Sequence, residues 1–227
     1  VYDRFVAGLV DQVSRRRQGV DDRGFRFDIG AMATRAQCAI VQRHVDDAVD
    51  RGARILLGGK ATESGRFFEP TVLVDVDHAM ACMTEETFGP LLPVVKVADE
   101  NEAVALANDS RYGLSATIWT GDRRRGERLA RRLDVGAVNI NDAFANMVSF
   151  AVPMGGWKQS GIGARFGGPA GIRKYCRPQA ITVPRGPQLR REPLWYPASK
   201  TRSRLVATLM QAFDGRGRRR LPGWKRG

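Results

Sequence analysis

The sequence predicts an α/β fold in which a mostly parallel sheet is flanked by helices. Short aliphatic and β-branched runs alternate with amphipathic stretches of helical period along most of the chain, and this alternation is typical of βαβ units. The 227 residues, of which 43% are hydrophobic, are enough for one substantial core. No run approaches the roughly 20 apolar residues of a membrane helix, so the sequence predicts no membrane span.

The first part of the chain predicts two helices followed by two strands. Apolar residues recur at helical spacing over residues 1–19 and, with a more mixed face, over residues 32–51. Residues 53–57 predict a short buried strand that ends at a glycine pair. Residues 67–76 contain Pro70, which cannot donate to a ladder, so they predict an edge strand or an extended segment rather than a central strand.

Strands and helices alternate through the middle of the chain. Asp99 and Glu102 have the spacing of a capping box, which predicts a helix that begins there and ends near Gly113. A second helix is predicted over residues 122–133, and a third, interrupted by glycines and a proline, over residues 164–175. The remaining apolar runs predict strands at residues 91–97, 114–119, 136–140 and 180–183.

Positive charge is concentrated at the end of the chain. Residues 185–227 hold 12 Lys and Arg against 2 Asp and Glu, so they account for +10 of the net charge of +13. We therefore expect a body over residues 1–184 and a basic tail over residues 185–227, with an amphipathic helix at residues 199–213. A short apolar stripe of this kind usually packs on protein. A basic arm for nucleic acid or for a membrane surface is the less favoured alternative.

The segment Glu85-Glu86-Thr87-Phe88-Gly89-Pro90 carries the first candidate chemistry. The Glu86 carboxylate can accept hydrogen bonds from both vicinal hydroxyls of a ribose, and the Phe88 ring can cover the flat face of a nicotinamide. Gly89 and Pro90 would hold both side chains at the edge of the sheet, where ligands of open α/β sheets bind. The alternative is a plain acidic turn before a strand, which this motif alone favours because short motifs recur by chance.

Five segments, in this order, resemble the C-terminal half of the aldehyde dehydrogenase family. They are residues 53–59, 85–90, 107–116, 135–141 and 153–163, the last with the pattern Pro-x-Gly-Gly-x-Lys-x-Ser-Gly-x-Gly. An ordered series is far more specific than any one of its members, and the resemblance covers about residues 1–184. Residues 156–168 and 172–177 are most similar to the succinate-semialdehyde dehydrogenase branch.

The resemblance implies the catalytic-domain fold of this family and oxidation of a small aldehyde, such as succinate semialdehyde, to its acid with NAD or NADP. It implies that Glu86 and Phe88 hold the nicotinamide ribose of the cofactor. It also implies a substrate tunnel lined by Asn141, Phe144, Ser149, Phe150 and Met154. Core packing explains the apolar members of that set equally well. Residues 180–183 would pair across subunits of a homo-oligomer.

No catalytic residue is predicted within the chain. Its three cysteines, Cys38, Cys82 and Cys176, lack the Gly-Gln-x-Cys context of the family nucleophile, so the nucleophilic cysteine and the general-base glutamate are expected upstream of Val1. The alternative is a non-catalytic remnant or an oligomerisation module. An odd number of widely spaced cysteines favours a reducing, cytoplasmic setting over a disulfide framework.

The two histidines, His44 and His78, are the remaining candidate ligands. Neither has a cysteine, histidine or carboxylate at metal-ligand spacing, so we expect no metal site. Solvated surface positions are predicted for both histidines.

Overall fold

The computed structural model describes residues 1–20, 23–62, 64–183 and 199–218, and the chain divides into two units, Val1–Arg177 and Pro178–Gly227. The helices of the larger unit are α1 (Tyr2–Ser14), α2 (Arg35–Asp50), α3 (Ala81–Thr84), α4 (Glu100–Asn108), α5 (Arg123–Ala130), α6 (Ala145–Val148) and α7 (Gly168–Arg173). Its strands are β1 (Arg54–Leu57), β2 (Thr71–Val74), β3 (Leu91–Pro93), β4 (Tyr112–Gly113), β5 (Ser115–Ile118), β6 (Ala137–Ile140), β7 (Met154–Lys158) and β8 (Gly163–Phe166). The smaller unit contains α8 (Lys200–Arg218).

The described strands pair into three small sheets. β2 lies between β1, to which it is antiparallel, and β3, to which it is parallel. β5 and β6 form a parallel pair, and β7 lies antiparallel between β4 and β8. The alternation of helices and strands confirms the α/β class. The pairing of the described strands is mixed rather than mostly parallel, because the glycine-rich segment after residue 153 folds into an antiparallel hairpin.

β2 is the central strand of its sheet, so the prediction of an edge strand at this place is wrong. All four residues of Thr71–Val74 are buried. Pro70 directly precedes the strand, where its missing N–H removes no bond from the ladder. The outer strand is β1, and the prediction that it is buried is also wrong, since Ile55 is 40% and Leu56 is 37% exposed.

α2 carries the core of the larger unit. Its N-terminus is capped by the Thr34 hydroxyl, which accepts a hydrogen bond from Gln37 N–H at 3.1 Å. On its inner face Val41, Val45 and Ala48 are 0%, 1% and 0% exposed and join one apolar cluster with buried residues of the first sheet. Burying each valine contributes about 1.5–3 kcal/mol, so segments packed on α2 rest on the most firmly held part of the unit.

The predicted capping box at the start of α4 is confirmed. Asp99 Oδ1 accepts hydrogen bonds from the N–H groups of Asn101 and Glu102, at 2.7 and 3.0 Å. Glu102 Oε2 in turn accepts from Ala98 N–H at 2.6 Å. The helix ends at Asn108, before the predicted end near Gly113, because Tyr112 and Gly113 are drawn into pairing with β7.

The segment predicted as an interrupted helix over residues 164–175 divides into a strand and a shorter helix. Gly163–Phe166 is β8, which pairs with β7, and α7 begins only at Gly168. Gly167 and Gly168 have φ values of +80° and +57°, in the left-handed region that glycine tolerates. These two residues therefore separate the strand from the helix.

The smaller unit departs from the sequence prediction in one respect. Residues 180–183 adopt neither helix nor strand, so the predicted last strand is not formed within the described chain, and Ile181 and Val183 are 78% and 77% exposed. The predicted helix is present as α8, and the Ser199 hydroxyl accepts a hydrogen bond from Arg202 N–H at 3.3 Å. The rest of the basic tail lies outside the described residues. Of the described helices, none has the length and apolarity needed to span a bilayer.

Two glycines, one in β7 and one just before β6, are required because no side chain fits at these positions. A left-handed backbone angle φ is not the reason. A Cβ atom at Gly155 would collide with the carbonyl of Gly163, and one at Gly136 would collide with the carbonyl of Gly155. Neither Gly155 nor Gly136 has a positive φ. The backbones of the β7–β8 hairpin and the start of β6 therefore approach too closely for any side chain.

We predict that Gly155→Ala destabilises the protein, because its methyl group meets a backbone carbonyl that cannot move aside without breaking the hairpin. Overpacking of this kind costs about 1–3 kcal/mol. The matched control is Gly8→Ala in exposed α1, where a Cβ meets nothing within 4 Å; it should instead stabilise by about 0.5–1 kcal/mol through helix propensity. Urea unfolding of both variants checks the prediction, and a Gly155→Ala midpoint equal to that of the parent would contradict it.

Candidate functional site

The Glu85–Pro90 segment joins α3 to β3, which with β1 is one of the two outer strands of the first described sheet. Pro90 O accepts a hydrogen bond from Thr71 N–H at 2.8 Å, and β3 begins at the next residue. The segment therefore lies at the amino-terminal end of β3, with its backbone tied to the central strand β2.

The two adjacent carboxylates of this segment have different environments. Glu85 forms an ion pair with Arg43, whose Nη2 lies 2.6 Å from Glu85 Oε2. These hydrogen bonds from Arg43, with a further one from His44, hold the pKa of Glu85 below its ordinary value. Glu86 is exposed and, among the described residues, its carboxylate has no hydrogen bond or ion pair. Glu85 is thus used by the fold, while Glu86 is available to a ligand.

His44 is fully buried, so the prediction of a solvated surface position is wrong. Its exposure is 0%, and its Nδ1 lies 3.0 Å from Thr87 Oγ1 while its Nε2 lies 3.4 Å from Glu85 Oε2. The helical phase of α2 turns His44 to the same inner face as Val41 and Val45, and polar partners from the Glu85–Pro90 segment satisfy both ring nitrogens. The spacing of His44 to Val41 indicates the inner face of the helix, but the polar partners that make burial of the ring possible lie more than 40 residues away.

His78 is half-buried rather than solvated. Its Nε2 lies 2.8 Å from the carbonyl of Leu106, and its buried Nδ1 has no partner among the described residues. Among the described residues no three His, Cys, Asp or Glu side chains converge as ligands of a metal ion would.

Phe88 presents its ring to solvent from an unfavourable backbone conformation. The residue is 79% exposed and has a φ of +41°. A bulky residue with positive φ is uncommon and costs on the order of 1–3 kcal/mol. The surrounding structure must therefore hold this conformation, which displays a large apolar ring beside the free Glu86 carboxylate.

Asn141 follows β6, and its side chain is committed to the neighbouring backbone. Its Oδ1 accepts from Thr120 N–H and its Nδ2 donates to Thr120 O, both at 2.8 Å. Asn141 has a φ of +54°, a conformation that asparagine tolerates better than most residues. The side chain therefore joins the end of β6 to the loop before α5.

The other residues predicted to line a tunnel differ in exposure. Phe144 and Phe150 are 66% and 82% exposed, Ser149 is half-buried, and Met154 is 7% exposed. Core packing therefore explains Met154 but not the two phenylalanines, whose rings are free for other contacts. No hydrogen bond or ion pair of the described residues joins residues 141–154 to the Glu85–Pro90 segment.

A buried amide pair that the sequence analysis missed positions the loop carrying these phenylalanines. Asn139 Nδ2 donates to Asn146 Oδ1 at 2.7 Å, and Asn146 N–H donates to Asn139 Oδ1 at 3.1 Å. Both residues are buried. Asp142 also accepts hydrogen bonds from Phe144 N–H and Ala145 N–H, at 2.7 and 2.5 Å. Asn139 is the polar residue of the otherwise apolar strand 137–140, and this could have indicated a buried polar contact from the sequence.

Polar residues of the second motif hold its hairpin against α4. Lys158 Nζ donates to the carbonyls of Asn108 and Ser110, at 2.6 and 2.9 Å, which places a cation at the C-terminus of α4. Ser160 Oγ accepts from Gly113 N–H at 3.1 Å. These contacts assign the two residues to the backbone rather than to a ligand.

The two buried cysteines show none of the features of an activated thiol. Cys38 and Cys82 are buried, and burial raises the pKa of the Cys82 thiol. Cys176 is exposed and follows α7, and its Sγ lies 3.7 Å from the carbonyl of Ile172 in that helix.

Residues 1–181 match the family model described as the aldehyde dehydrogenase family. A protein of Mycobacterium ulcerans, provisionally named succinate-semialdehyde dehydrogenase (NADP⁺) 2, is 43% identical over 82% of this chain and 36% of its own length. The 4,4'-diapolycopene aldehyde oxidase of a Methylomonas species is 43% identical over 87% of this chain and 36% of its own length.

Solved structures give the same result. Lactaldehyde dehydrogenase from Escherichia coli is 36% identical with a TM-score of 0.74, over 79% of this chain and 37% of that protein. An aldehyde dehydrogenase of Mycobacterium tuberculosis, solved with NAD⁺, is 33% identical with a TM-score of 0.75, over 83% of this chain and 38% of that protein. The chain thus spans a little over a third of the length of these relatives.

We predict that the stability contributed by Glu85 depends on pH. Its folded-state pKa lies below the ordinary value of 4.5, so the contribution is present above that value and is lost as the pH falls through the folded-state pKa. The difference in urea midpoint between the parent and Glu85→Gln should therefore be constant near neutrality and shrink in acid. Other carboxyls with a lowered pKa, such as Asp28 and Asp99, titrate in both proteins and cancel in the difference. A difference that stays constant throughout the acid range would contradict the role given to Glu85.

Proposed function

The chain belongs to the aldehyde dehydrogenase family, and we propose that it supplies the nicotinamide-ribose side and part of the substrate tunnel of an NAD(P)-dependent aldehyde dehydrogenase. The observation that carries the proposal is the contrast between two neighbouring carboxylates. Glu85 is paired with Arg43, whereas Glu86 is exposed beside the Phe88 ring with no partner among the described residues. In this proposal residues 1–184 form the catalytic-domain portion, and residues 185–227 form a tail outside the site.

The side chains of this segment fit a nicotinamide riboside. The ionised Glu86 carboxylate can accept hydrogen bonds from both ribose hydroxyls, and the exposed ring of Phe88 can pack on the nicotinamide face. When bound, NAD or NADP would accept the hydride that leaves the aldehyde carbon. Glu86 and Phe88 act by holding the ring in register and do not themselves exchange protons or electrons.

The aldehyde is assigned to the loop that follows β6. The exposed rings of Phe144 and Phe150 would exclude water from one wall of the tunnel, with Ser149 as a polar contact and Met154 as packing behind the wall. Asn141 would support this wall through its bonds to Thr120. In this proposal none of the three cysteines attacks the aldehyde, so the nucleophile and the general base come from outside residues 1–227.

We further propose a homo-oligomer and a cytoplasmic setting. Residues 180–183 pair with no described strand and expose Ile181 and Val183, as expected of a segment that adds to the sheet of another subunit. All three cysteines are free, which is consistent with a reducing compartment.

We predict that Glu86→Gln weakens the use of cofactor. The variant loses the charge that strengthens hydrogen bonds to the ribose, and bonds to charged groups contribute about 1.5–3 kcal/mol, so KM for NAD(P) should rise by about tenfold or more. The measurement is steady-state formation of NAD(P)H by the enzyme that contains this chain. Glu127→Gln, at an exposed position of α5, is the matched control and should leave KM unchanged. Equal KM values for both variants would remove Glu86 from the site.

We predict that succinate semialdehyde is the preferred substrate of that enzyme. The prediction is supported by residues 156–168 and 172–177 and by the name of the M. ulcerans relative. Comparison of kcat/KM for succinate semialdehyde, lactaldehyde and a long apolar aldehyde tests it, because the named relatives act on different aldehydes. A higher kcat/KM for either of the other two would overturn this assignment and leave the aldehyde dehydrogenase activity in place.

A further inference from the structure

We propose that α2 is the platform that positions the cofactor-binding pair, and that Gln37, His44 and Thr87 are positioning residues for Glu86 and Phe88. This inference rests on the proposed function, since it gives a role to residues that would touch neither cofactor nor aldehyde. It predicts that cofactor affinity depends on a buried contact on the far side of the loop.

The loop is attached to α2 at each of its inward-facing positions. Gln37 Nε2 donates a hydrogen bond to the carbonyl of Thr87, and the Thr87 hydroxyl meets His44 Nδ1 at 3.0 Å. Gly89 lies against Val41, so closely that a Cβ atom on Gly89 would collide with the valine Cγ2.

The ion pair of Arg43 and Glu85 completes the attachment at the start of the loop. Its shortest N–O distance is 2.6 Å, and Arg43 Nη2 also lies 3.2 Å from His44 Nε2. The positions between these contacts are Glu86 and Phe88. Residues 85, 87 and 89 therefore contact α2, while Glu86 and Phe88 are exposed to solvent.

The platform is rigid because its inner face is core. Val41 and Val45 are 0% and 1% exposed, and His44 itself is 0% exposed. A loop bonded to such residues has few alternative conformations, since moving it would either pull a buried imidazole away from its partners or open a void beside Val41.

Backbone strain at Phe88 makes this attachment necessary. With a φ of +41°, Phe88 would relax to an ordinary conformation if its neighbours were free, and the change would rotate the Glu86 carboxylate away from the Phe88 ring. Thr87 and Gly89, which flank Phe88, are the residues that α2 holds. The contacts with α2 therefore preserve the geometry that a nicotinamide riboside would meet.

The decisive variant is Thr87→Val, which keeps the shape of the side chain and removes the hydroxyl that meets His44. Thr87→Ser keeps the hydroxyl and is the conservative rescue. Gln37→Met removes the second attachment without touching the buried histidine, so it tests the same inference if Thr87→Val does not fold. Asp75→Asn is the control. It removes the charge of Asp75, which forms an ion pair with Arg54 on the first sheet at 2.6 Å, the same distance as in the Arg43–Glu85 pair. Asparagine tolerates the φ of +57° at position 75.

The first measurement is amide hydrogen exchange at Glu85 and Leu91, whose N–H groups are hydrogen-bonded at the two ends of the loop, and at Thr71, whose N–H donates to Pro90 O; it uses the 227-residue chain and requires neither cofactor nor activity. Thr87→Val and Gln37→Met should accelerate exchange of this loop by about fivefold to tenfold, the equivalent of one hydrogen bond. Thr87→Ser and Asp75→Asn should leave it unchanged. Loop exchange that is equally slow in every variant would overturn the inference.

The second measurement is steady-state kinetics of the enzyme that contains this chain. A positioning role predicts that KM for NAD(P) rises about fivefold in Thr87→Val, with kcat within about twofold of the parent, and that Thr87→Ser restores the parent value. Faster loop exchange with an unchanged KM would overturn the link to the cofactor. If the parent enzyme shows no NAD(P)-dependent oxidation of aldehydes, the proposed function fails, and the exchange data still decide whether α2 holds the loop.

Discussion

The contact on which the candidate site depends is the buried imidazole of His44 between Thr87 and Glu85. A polar ring with 0% exposure is costly unless both nitrogens find partners. The loop before β3 supplies Thr87 to Nδ1, and it supplies Glu85 to Nε2 together with Arg43 of α2. The loop conformation is therefore coupled to the core packing of α2 rather than to its own propensities. This coupling explains how Phe88 is kept at a positive φ while its ring remains in solvent.

Both motifs contain side chains that bond within the fold, and the first motif also contains side chains that are left exposed to solvent. In the first, Glu85 and Thr87 contact side chains of α2, whereas Glu86 and Phe88 are exposed to solvent. In the second, the side chains of Lys158 and Ser160 form hydrogen bonds with backbone groups at and after the end of α4. Close approach of glycine backbones brings the hairpin to that place. Residues that make a motif recognisable are thus as often structural as they are ligand-binding.

The sequence predicted well wherever a local rule sets the structure. The Asp99 cap, the helical period of residues 35–50 and the glycines that end an element needed only short-range information. It failed at Pro70, because a proline that directly precedes a strand removes no ladder bond and therefore does not exclude a central position. It failed at His44 because its burial depends on partners more than 40 residues away along the chain. The last predicted strand, residues 180–183, has no partner among the described strands to pair with.

The sequence by itself determined the family, the α/β class, and the two side chains proposed to meet the cofactor, because each of these is written in residue types at short spacing. Only the tertiary structure decided which of two adjacent glutamates is free. It also showed that the phenylalanines after β6 are exposed while Met154 is packed, and that Asn139 and Asn146 form a buried pair. These outcomes depend on contacts between residues distant in sequence. The free energy of such contacts comes from burial and from paired polar groups, which become defined only when α2, the first sheet and the loop before β3 meet.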